Sequence, residues 1–421
     1  MQKLWGCEIK RYRFVVIGFM VAIWFVVYIQ RVNVSMLLVD AQFLNDMGLN
    51  GKGGLQGLLM TFFLIPYALT NILAAPLGDK IGPRKAMMIG IVIGVLGSIT
   101  SGLVPTFAFL LTARLVLGVG QGIHFPNQSV FVRNWFPAGE RGLGNALYAV
   151  GGCAAPMLTI PLYTWLFGLM GWRHSVMLVG LLSLLVALPL VIKWVTDTPD
   201  NNAFVSPEEC AFIKQAHLEE ASSTDAVEMG AAGQVVRSID FWLITMAYFA
   251  YLAIWWGLVT WLPQYFVVAR GLDLKTMGWA TSIPYAAAAI AVVIGGTISD
   301  RLGKRSLLGM LVLTGSALCI VGGALVDSPG WCIFLVSAGV ALDVVYYPIA
   351  WAILQSMLPA NLIGTGSGIM NGTSNLLSAV TPFAMGILIQ VTGTYNAGMY
   401  LLAVVGIIGA CASLILMRRG K

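Results

Sequence analysis

Residues 24–35 read WFVVYIQRVNVS, and this stretch decides how the rest of the chain is interpreted. It closes the first long hydrophobic segment, in which residues 14–29 are apolar or aromatic apart from Gly18. Arg31 follows almost directly, and the chain turns apolar again at residues 36–39. A guanidinium stays charged at working pH, so burying it at bilayer depth is costly unless an anion or a water-filled cavity faces it. Arg31 therefore predicts a pocket for an anion inside a membrane protein.

The composition supports a membrane location. Of the 421 residues, 58% are hydrophobic and 10% are charged, whereas soluble domains carry about 25% charged residues. The six cysteines are scattered singly, without a metal-ligand spacing, so we expect no metal site and no cofactor. The formal charge of +6 comes from basic residues clustered at segment ends, which fits membrane topology better than a nucleic-acid partner. No small-residue cleavage site follows the first segment, so a signal peptide is not favoured.

Twelve segments are long enough to cross a bilayer at about 20 residues each. They are 14–38, 54–78, 86–104, 107–132, 143–168, 174–195, 239–265, 276–299, 307–326, 331–357, 366–391 and 397–417. Backbone groups in lipid must be satisfied within each segment, so all are predicted to be helical. The predicted fold is an all-α integral membrane protein with twelve transmembrane helices in two six-helix bundles. The bundles cover residues 1–195 and 239–421, and residues 196–238 form a cytoplasmic linker between them.

The basic residues predict the orientation. Of the 24 lysines and arginines, eighteen fall on one side and only Lys52, Arg173, Arg270 and Lys275 on the other. The positive-inside rule then places both termini and the linker in the cytoplasm, as expected for a multi-pass protein of the cell's inner membrane. The two remaining basic residues are Arg31 and Arg114, each inside a predicted span.

The linker is predicted to begin with a short surface helix. Residues 207–221 suit a helix capped by Ser206, and residues 222–234 read as a flexible connection. We interpret the linker as the hinge-side connection between two halves, because it is too short for a catalytic domain.

The two halves repeat a loop motif. APLGDKIGPRK (75–85) follows the second span and GTISDRLGKRS (296–306) follows the eighth. An aspartate at a helix end, a glycine at the bend and basic residues beyond can lock two helices and release them. The predicted gating residues are Asp79, Gly82, Arg84, Asp300, Gly303 and Arg305. A repeat of this kind marks a transporter built of two bundles.

With these motifs and twelve spans, the whole chain resembles the major facilitator superfamily. RLVLGVGQGIHFP (114–126), WFPAGERG (135–142), WLPQYFVVARG (261–271) and GTGSGIMN (364–371) resemble the anion:cation symporter family. That resemblance implies a proton-coupled carrier of hexuronate, galactonate, sialate or a related organic anion. The pair Gln121–Gly122, with Arg31, also suggests kinship with organophosphate:phosphate antiporters.

Arg31 is the strongest candidate for binding the substrate, since its fork of donors suits a carboxylate, phosphate or sulfonate. Tyr28 lies on the same helical face, three residues earlier. The alternative is a structural arginine bonded to helix carbonyls or to the other bundle. By resemblance, Arg31 matches the family's first-helix arginine and Tyr67 its second-helix tyrosine.

Arg114 has two interpretations, which the sequence leaves open. The resemblance places it in the outer part of the fourth span, where it either lines the cavity or supports its neighbours. Gln121 lies further along the same helix and is also a candidate for binding.

The expected coupling acids are missing. The position before the first-helix arginine, often acidic in the family, is Gln30, and the expected fourth-helix glutamate is Gln121. Glutamine cannot exchange protons near neutral pH. Asp343, the one carboxylate placed inside a span, is either a proton carrier or the counter-ion of an arginine, and His124 is a titratable alternative. Exchange or uniport, without a proton, is the third possibility.

The second half offers aromatic and amide side chains. Trp255, Trp256 and Tyr347 are candidates to contact the carbon skeleton of the substrate, although most membrane aromatics are packing or interface residues. Asn371 and Asn375 make a polar stripe that suits recognition of hydroxyl groups or bonding between helices. This asymmetry suggests that the N-terminal bundle binds the charge and the C-terminal bundle selects the polyol.

The sequence therefore predicts a secondary transporter of a small organic anion, with a sugar acid as the best guess and proton symport as the expected mode. The rivals are an anion exchanger for organophosphate or sulfonate substrates and a proton-coupled efflux carrier. An enzyme is not favoured, because no nucleophile–base set, phosphate-binding loop or metal-ligand spacing is present. The carrier is expected to work as a monomer in the lipid bilayer.

Overall fold

The computed structural model describes residues 3–4, 7–8, 11–137, 140–222, 236–358 and 363–420. Apart from one antiparallel pair of two-residue strands, Lys3–Leu4 (β1) and Cys7–Glu8 (β2), the regular structure of these residues is helical. The prediction of an all-α membrane protein is thereby confirmed.

The helices of the first half, and the linker helix that follows them, carry the labels α1 to α8. They are Tyr12–Leu37 (α1), Ala41–Asp46 (α2), Gly53–Leu73 (α3), Ala75–Ile81 (α4), Pro83–Leu103 (α5), Phe107–Trp135 (α6), Arg141–Trp194 (α7) and Pro207–Ser222 (α8). The helix predicted in the linker is present, and Ser206 caps it by accepting a hydrogen bond from the backbone N–H of Glu209 at 3.1 Å. Residues 223–235, most of the predicted flexible connection, lie outside the described residues.

The second half contains seven further helices. They are Ile239–Gln264 (α9), Leu274–Leu302 (α10), Arg305–Leu325 (α11), Pro329–Met357 (α12), Ile363–Ser378 (α13), Thr381–Thr392 (α14) and Asn396–Arg418 (α15). A short π-helical segment, Tyr265–Ala269, continues α9.

Twelve crossings are visible in the described residues. Eleven segments are long and apolar enough to span a membrane, and one of them, Val150–Trp194, has 45 residues. It changes direction at Gly171, whose φ of 71° and ψ of 171° suit glycine and interrupt the helix. The fifth and sixth predicted spans are thus two crossings joined at this glycine.

Two predicted spans differ from the observed helices, and proline explains both differences. The second span ends at Leu73, not at residue 78, because a new helix begins at Ala75 with Pro76 in its first turn. The eleventh span is two helices that break at Ala379 and Val380, just before Thr381–Pro382. Proline has no N–H for the preceding turn and disfavours helical geometry in the residue before it.

Large apolar side chains cover the outside of the molecule. Trp165, Trp279 and Trp331, for example, are each more than 60% exposed, at 62%, 65% and 62%. Such a surface would be unfavourable in water and is stable against lipid.

Two basic residues of the sparsely charged side cap helices. Arg173 donates to the carbonyl oxygens of Val104 (2.7 Å) and Gly102 (3.2 Å) at the end of α5. Arg270 donates in the same way to Val326 (2.6 Å) and Gly323 (2.7 Å) at the end of α11. Helix C-termini carry partial negative charge, which accounts for these cations on the side that has few.

The first part of the linker packs against the first bundle. Glu209 of α8 accepts hydrogen bonds from the backbone N–H of Tyr12 at 2.7 Å and from Arg13 Nη1 at 2.8 Å, at the start of α1. Arg13 also pairs with Glu140, at 2.8 Å between Nε and Oε2. A carboxylate at a helix N-terminus is favourable, so α8 is fixed to the same helix that carries Arg31.

The two bundles meet on the side away from this linker. A Cβ on Gly53 of α3 would lie 2.3 Å from the carbonyl oxygen of Gly386 in α14, so only glycine permits this approach. About two turns further along α3, Thr61 donates to the carbonyl of Ala379 at 2.7 Å. Ser282 of α10 donates to the carbonyl of Met157 in α7, also at 2.7 Å. These contacts close the far side of the central region.

Candidate anion-binding site

Arg31 lies at the centre of the molecule, enclosed by aromatic rings. It is 2% exposed, and five ring centroids lie within 5.2 Å of its Cζ. The rings are those of Tyr67 (4.4 Å), Tyr28 (4.6 Å), Phe63 (4.9 Å), Trp24 (5.2 Å) and Trp256 (5.2 Å). We call these five residues the aromatic cage. Ring faces attract a cation, which is how an arginine is kept in a dry place without a carboxylate.

The cage satisfies the charge of Arg31 only in part. Its Nε donates to Gln121 Oε1 at 2.9 Å, and Gln121 Nε2 in turn donates to the carbonyl of Val27 at 2.9 Å. Arg31 Nη2 is buried and makes no hydrogen bond of normal geometry to any residue that the structure describes. Among the described residues, no ion pair involves Arg31. A buried donor without an acceptor is destabilising, so this nitrogen is a place where an anion would bind favourably.

The cage contains side chains from both bundles. Trp256 comes from α9, and its ring stacks on Tyr28 of α1 with centroids 6.3 Å apart. Its neighbour Trp255 donates from Nε1 to the hydroxyl of Tyr28 at 3.2 Å. Trp256 Nε1 is itself buried and without a partner. The cage therefore contains two unpaired donors, Arg31 Nη2 from the first bundle and Trp256 Nε1 from the second.

Arg114 lies outside the cage and is fully buried. Its Nη2 donates to Asn33 Oδ1 at 2.8 Å, so α6 and α1 are joined twice, here and through Gln121 and Arg31. The sequence did not single out Asn33, because no local pattern predicts its partner on another helix.

Asp343 of α12 is 1% exposed, and neither of its carboxylate oxygens has a hydrogen-bond partner. Among the described residues it forms no ion pair, so in this conformation it is not the counter-ion of an arginine. Tyr347 follows it by one helical turn on the same face, and the Tyr347 ring lies 6.2 Å from that of Tyr251 in α9. Asp343 is thus on the side of α12 that turns towards α9.

His124 stacks on Trp24, a ring of the cage. Their centroids are 5.6 Å apart and the planes are nearly parallel, at 3°. The histidine therefore packs against the cage through Trp24.

The remaining candidates of the second half form one cluster. Each of the rings of Tyr248, Tyr251, Tyr347 and Trp351 has its centroid within 6.4 Å of at least two of the others. Asn371 accepts from the Tyr248 hydroxyl at 3.5 Å and from Asn375 Nδ2 at 2.9 Å. Tyr347, Asn371 and Asn375 are thus brought together, while Trp255 and Trp256 join the cage instead.

The two repeated loops pack within their own bundles. Gly82 has a φ of 89°, and the N–H of Arg84 donates to Asp197 at 2.8 Å. Gly303 ends α10 in the left-handed conformation, and Arg305 Nη1 donates to the carbonyl of Ala352 at 3.5 Å. The side chains of Asp79 and Asp300 lie outside the described residues. The gating role of this set stays a prediction.

Sequence reasoning missed two rings of the cage, and one of them left a signal. Trp24 precedes Arg31 by seven residues, two helical turns, and so shares its face. Phe63 precedes Tyr67 by four residues, but only the approach of α3 to α1 gives it a role.

Proteins with similar sequences carry organic anions. The chain is 30% identical over 417 residues to a probable sulfoacetate transporter of Cupriavidus necator, covering 96% of this chain and 93% of that one. It is 27% identical to a hexuronate transporter of Bacillus subtilis (91% and 90% covered) and 24% identical to a probable galactarate/D-glucarate transporter of Escherichia coli (91% and 89%). These relatives are organic-anion transporters of the anion:cation symporter type, as the sequence motifs predicted.

The fold is shared with solved transporters. A bacterial homologue of the human lysosomal transporter Spinster, in an inward-facing and unoccupied conformation, superposes with a TM-score of 0.76 at 16% identity, covering 97% of this chain and 98% of that one. The sequence model of the Major Facilitator Superfamily matches residues 14–382. With most of its length matched in this way, the chain belongs to the Major Facilitator Superfamily and is a membrane transporter, not an enzyme.

Proposed function

We propose that this protein carries a small organic anion, a sugar acid or a similar carboxylate, across the cytoplasmic membrane by alternating access and in symport with protons. The observation that carries the proposal is Arg31, a buried cation with five rings around it, no carboxylate partner and an unpaired Nη2. In such a dry site a charge-assisted hydrogen bond to an incoming anion is worth more than in water.

The geometry supports a role for the anion in joining the bundles. Arg31 Nη2 belongs to the first bundle and Trp256 Nε1 to the second, and both lack an acceptor. An anionic oxygen between them would satisfy both donors at once. A substrate that links the bundles in this way favours the closed state through which alternating access must pass.

The relatives support the substrate class. Their names specify sulfoacetate, hexuronate and galactarate or glucarate, all of which carry at least one acidic group. The amide and tyrosine groups around Asn371 supply donors and acceptors for hydroxyls of a sugar acid. The positive-inside rule supports cytoplasmic termini, and the bundle is complete within one chain, which suits a monomer.

Asp343 supports proton coupling. An ionised carboxylate buried without a partner is strongly disfavoured, so in this conformation Asp343 is favoured as the neutral acid. Exposure to water on either side would allow it to release the proton. Anion exchange is the second candidate. Gln121 occupies the position beside Arg31 where a titratable acid would link proton binding to substrate binding, and glutamine cannot do so.

The test is uptake of labelled galactarate, galactonate and sulfoacetate into proteoliposomes, with and without an inward proton gradient. We expect Arg31→Ala to abolish uptake and Arg31→Lys to retain only a small part, since a lysine keeps the charge but loses the planar fork. Uptake unchanged in Arg31→Ala would refute the proposed site. Uptake that ignores the gradient but requires a trapped internal anion would establish exchange.

A further inference from the structure

Arg114 is a second buried cation whose charge nothing in the described structure neutralises. It is fully buried, and only its Nη2 has a hydrogen-bond partner, Asn33. Nε and Nη1 have none, and no ion pair among the described residues includes this arginine. An unpaired buried donor is destabilising, and more so when it is charged, so two such donors on one arginine indicate a site where an anion would bind favourably.

Tyr163 of α7 is a third unpaired group in the same place. It is fully buried, its hydroxyl lies beside Asn33 without a hydrogen bond of normal geometry to any described residue, and it interacts electrostatically with Arg114. Its ring is held by an edge contact with Phe167, with centroids 5.4 Å apart. Arg114 and Tyr163 thus present three unpaired polar atoms from two helices, and each of these atoms can donate to an anion.

The position of this cluster relative to Arg31 follows from the helix that links them. Arg114 and Gln121 are seven residues apart on one face of α6, which corresponds to about 10 Å along the axis. Gln121 holds Arg31 at 2.9 Å, while Arg114 is held by Asn33, two residues beyond Arg31 on α1. The two cations are therefore neighbours along one line that runs towards the far side of the membrane.

We infer that Arg114 and Tyr163 form a second anion subsite, which receives the second acid group of a two-headed organic anion whose first acid group binds Arg31. The inference rests on the proposed function and deepens it by naming the substrate class: dianions with an acid at each end. A separate small anion from the medium would use the same chemistry, and the experiment distinguishes the two sources.

Charge favours a dianion. A monoanion at Arg31 leaves the second buried cation unpaired, whereas a dianion neutralises both. The two guanidinium groups belong to different helices, α1 and α6, so an acid group at each end of one substrate can reach both of them.

The experiment compares two ligands that differ at one end. Galactarate carries a carboxylate at both ends of a six-carbon chain, and galactonate has a hydroxymethyl group at one of them. Binding to the purified protein is measured by titration calorimetry for the wild type, Tyr163→Phe and Arg114→Gln. We expect the wild type to prefer galactarate by more than tenfold. Tyr163→Phe should reduce that preference several-fold and Arg114→Gln should abolish it, because galactarate loses more affinity than galactonate in each variant.

The matched control is Tyr12→Phe. It also removes a buried hydroxyl without a partner, but at the linker end of α1, and should leave the preference intact. A wild type that binds both ligands equally, or a preference that survives both variants, would overturn the inference and assign the cluster a structural role. Sulfate is the third probe. Sulfate binding that needs Tyr163 and Arg114, without any galactarate preference, would assign the subsite to a separate anion and overturn the two-headed substrate.

Failure of the proposed function gives a different result. In that case galactonate and galactarate would bind unchanged in Arg31→Ala, whatever the effect of Tyr163→Phe on their ratio. The preference between the ligands reports only on the second subsite, and the Arg31 variant reports only on the first.

Discussion

Each bundle buries a charge in its interior, Arg31 in α1 of the first and Asp343 in α12 of the second, and the surroundings of these two charges differ. Arg31 is surrounded by five rings and a glutamine, which hold a permanent cation in place. Asp343 has no hydrogen-bond partner for either oxygen. A guanidinium cannot lose its charge, so it needs a cage, whereas a carboxyl can be buried by taking up a proton. The comparison suggests that the first bundle holds the substrate and the second responds to the proton.

The largest expected effect separates these two roles. Asp343→Asn keeps the size of a neutral acid but cannot exchange a proton. We expect it to abolish accumulation driven by a proton gradient while counterflow of labelled against unlabelled substrate continues. The measurement is both assays on the same proteoliposomes. Asp240→Asn is the control, because Asp240 lies at the start of α9 and pairs there with Arg419, near the C-terminus, instead of with the central site. If accumulation persists in Asp343→Asn, a residue other than Asp343 couples transport to the proton gradient.

The next effect concerns the glutamine beside Arg31. Gln121→Glu would place an ionised carboxylate against the guanidinium, at a contact that is now 2.9 Å, and this carboxylate would compete with the substrate anion. We expect affinity at pH 8 to fall at least tenfold, about 1.4 kcal/mol.

Gln128→Glu on the same helix is the control for that variant, because the buried Gln128 makes no described contact with Arg31. Titration of substrate binding between pH 5 and 8 would measure the effect. Equal affinity of Gln121→Glu and wild type across this range would mean that substrate does not bind at Arg31.

Much of this site follows from local sequence. Arg31 lies inside an apolar segment with Tyr28 three residues away, and this spacing predicts that both share one helical face. In the structure, the Tyr28 ring packs on the Arg31 guanidinium. The family resemblance adds Tyr67, which lies over the same guanidinium. Helix ends could be placed to within a few residues except where proline restarts a helix, as at Pro76 and Pro382.

What could not be predicted depends on packing between helices. Aromatic residues are frequent in every span, so nothing marks Phe63 as a cage residue before α3 meets α1. Tyr163 and Asn33 likewise become neighbours of Arg114 only when α7, α1 and α6 come together. The linker helix is a third case. Its sequence predicts a surface helix, but it does not predict that Glu209 accepts a hydrogen bond from the N-terminus of α1.

The smallest effect tests whether the cage is more than packing. Trp256→Phe keeps an aromatic ring over Arg31 but removes the unpaired Nε1. If this nitrogen donates to the substrate, its loss should weaken binding about five-fold, or ~1 kcal/mol, without changing the pH dependence. Trp261→Phe is the control: its Nε1 already donates to the carbonyl of Pro382 at 3.0 Å, so that variant should lower the melting temperature and leave affinity unchanged. Affinity that is equal in both variants would leave Arg31 as the only donor to the anion. The bridge between bundles would then have to come from the tyrosines and amides around Asn371.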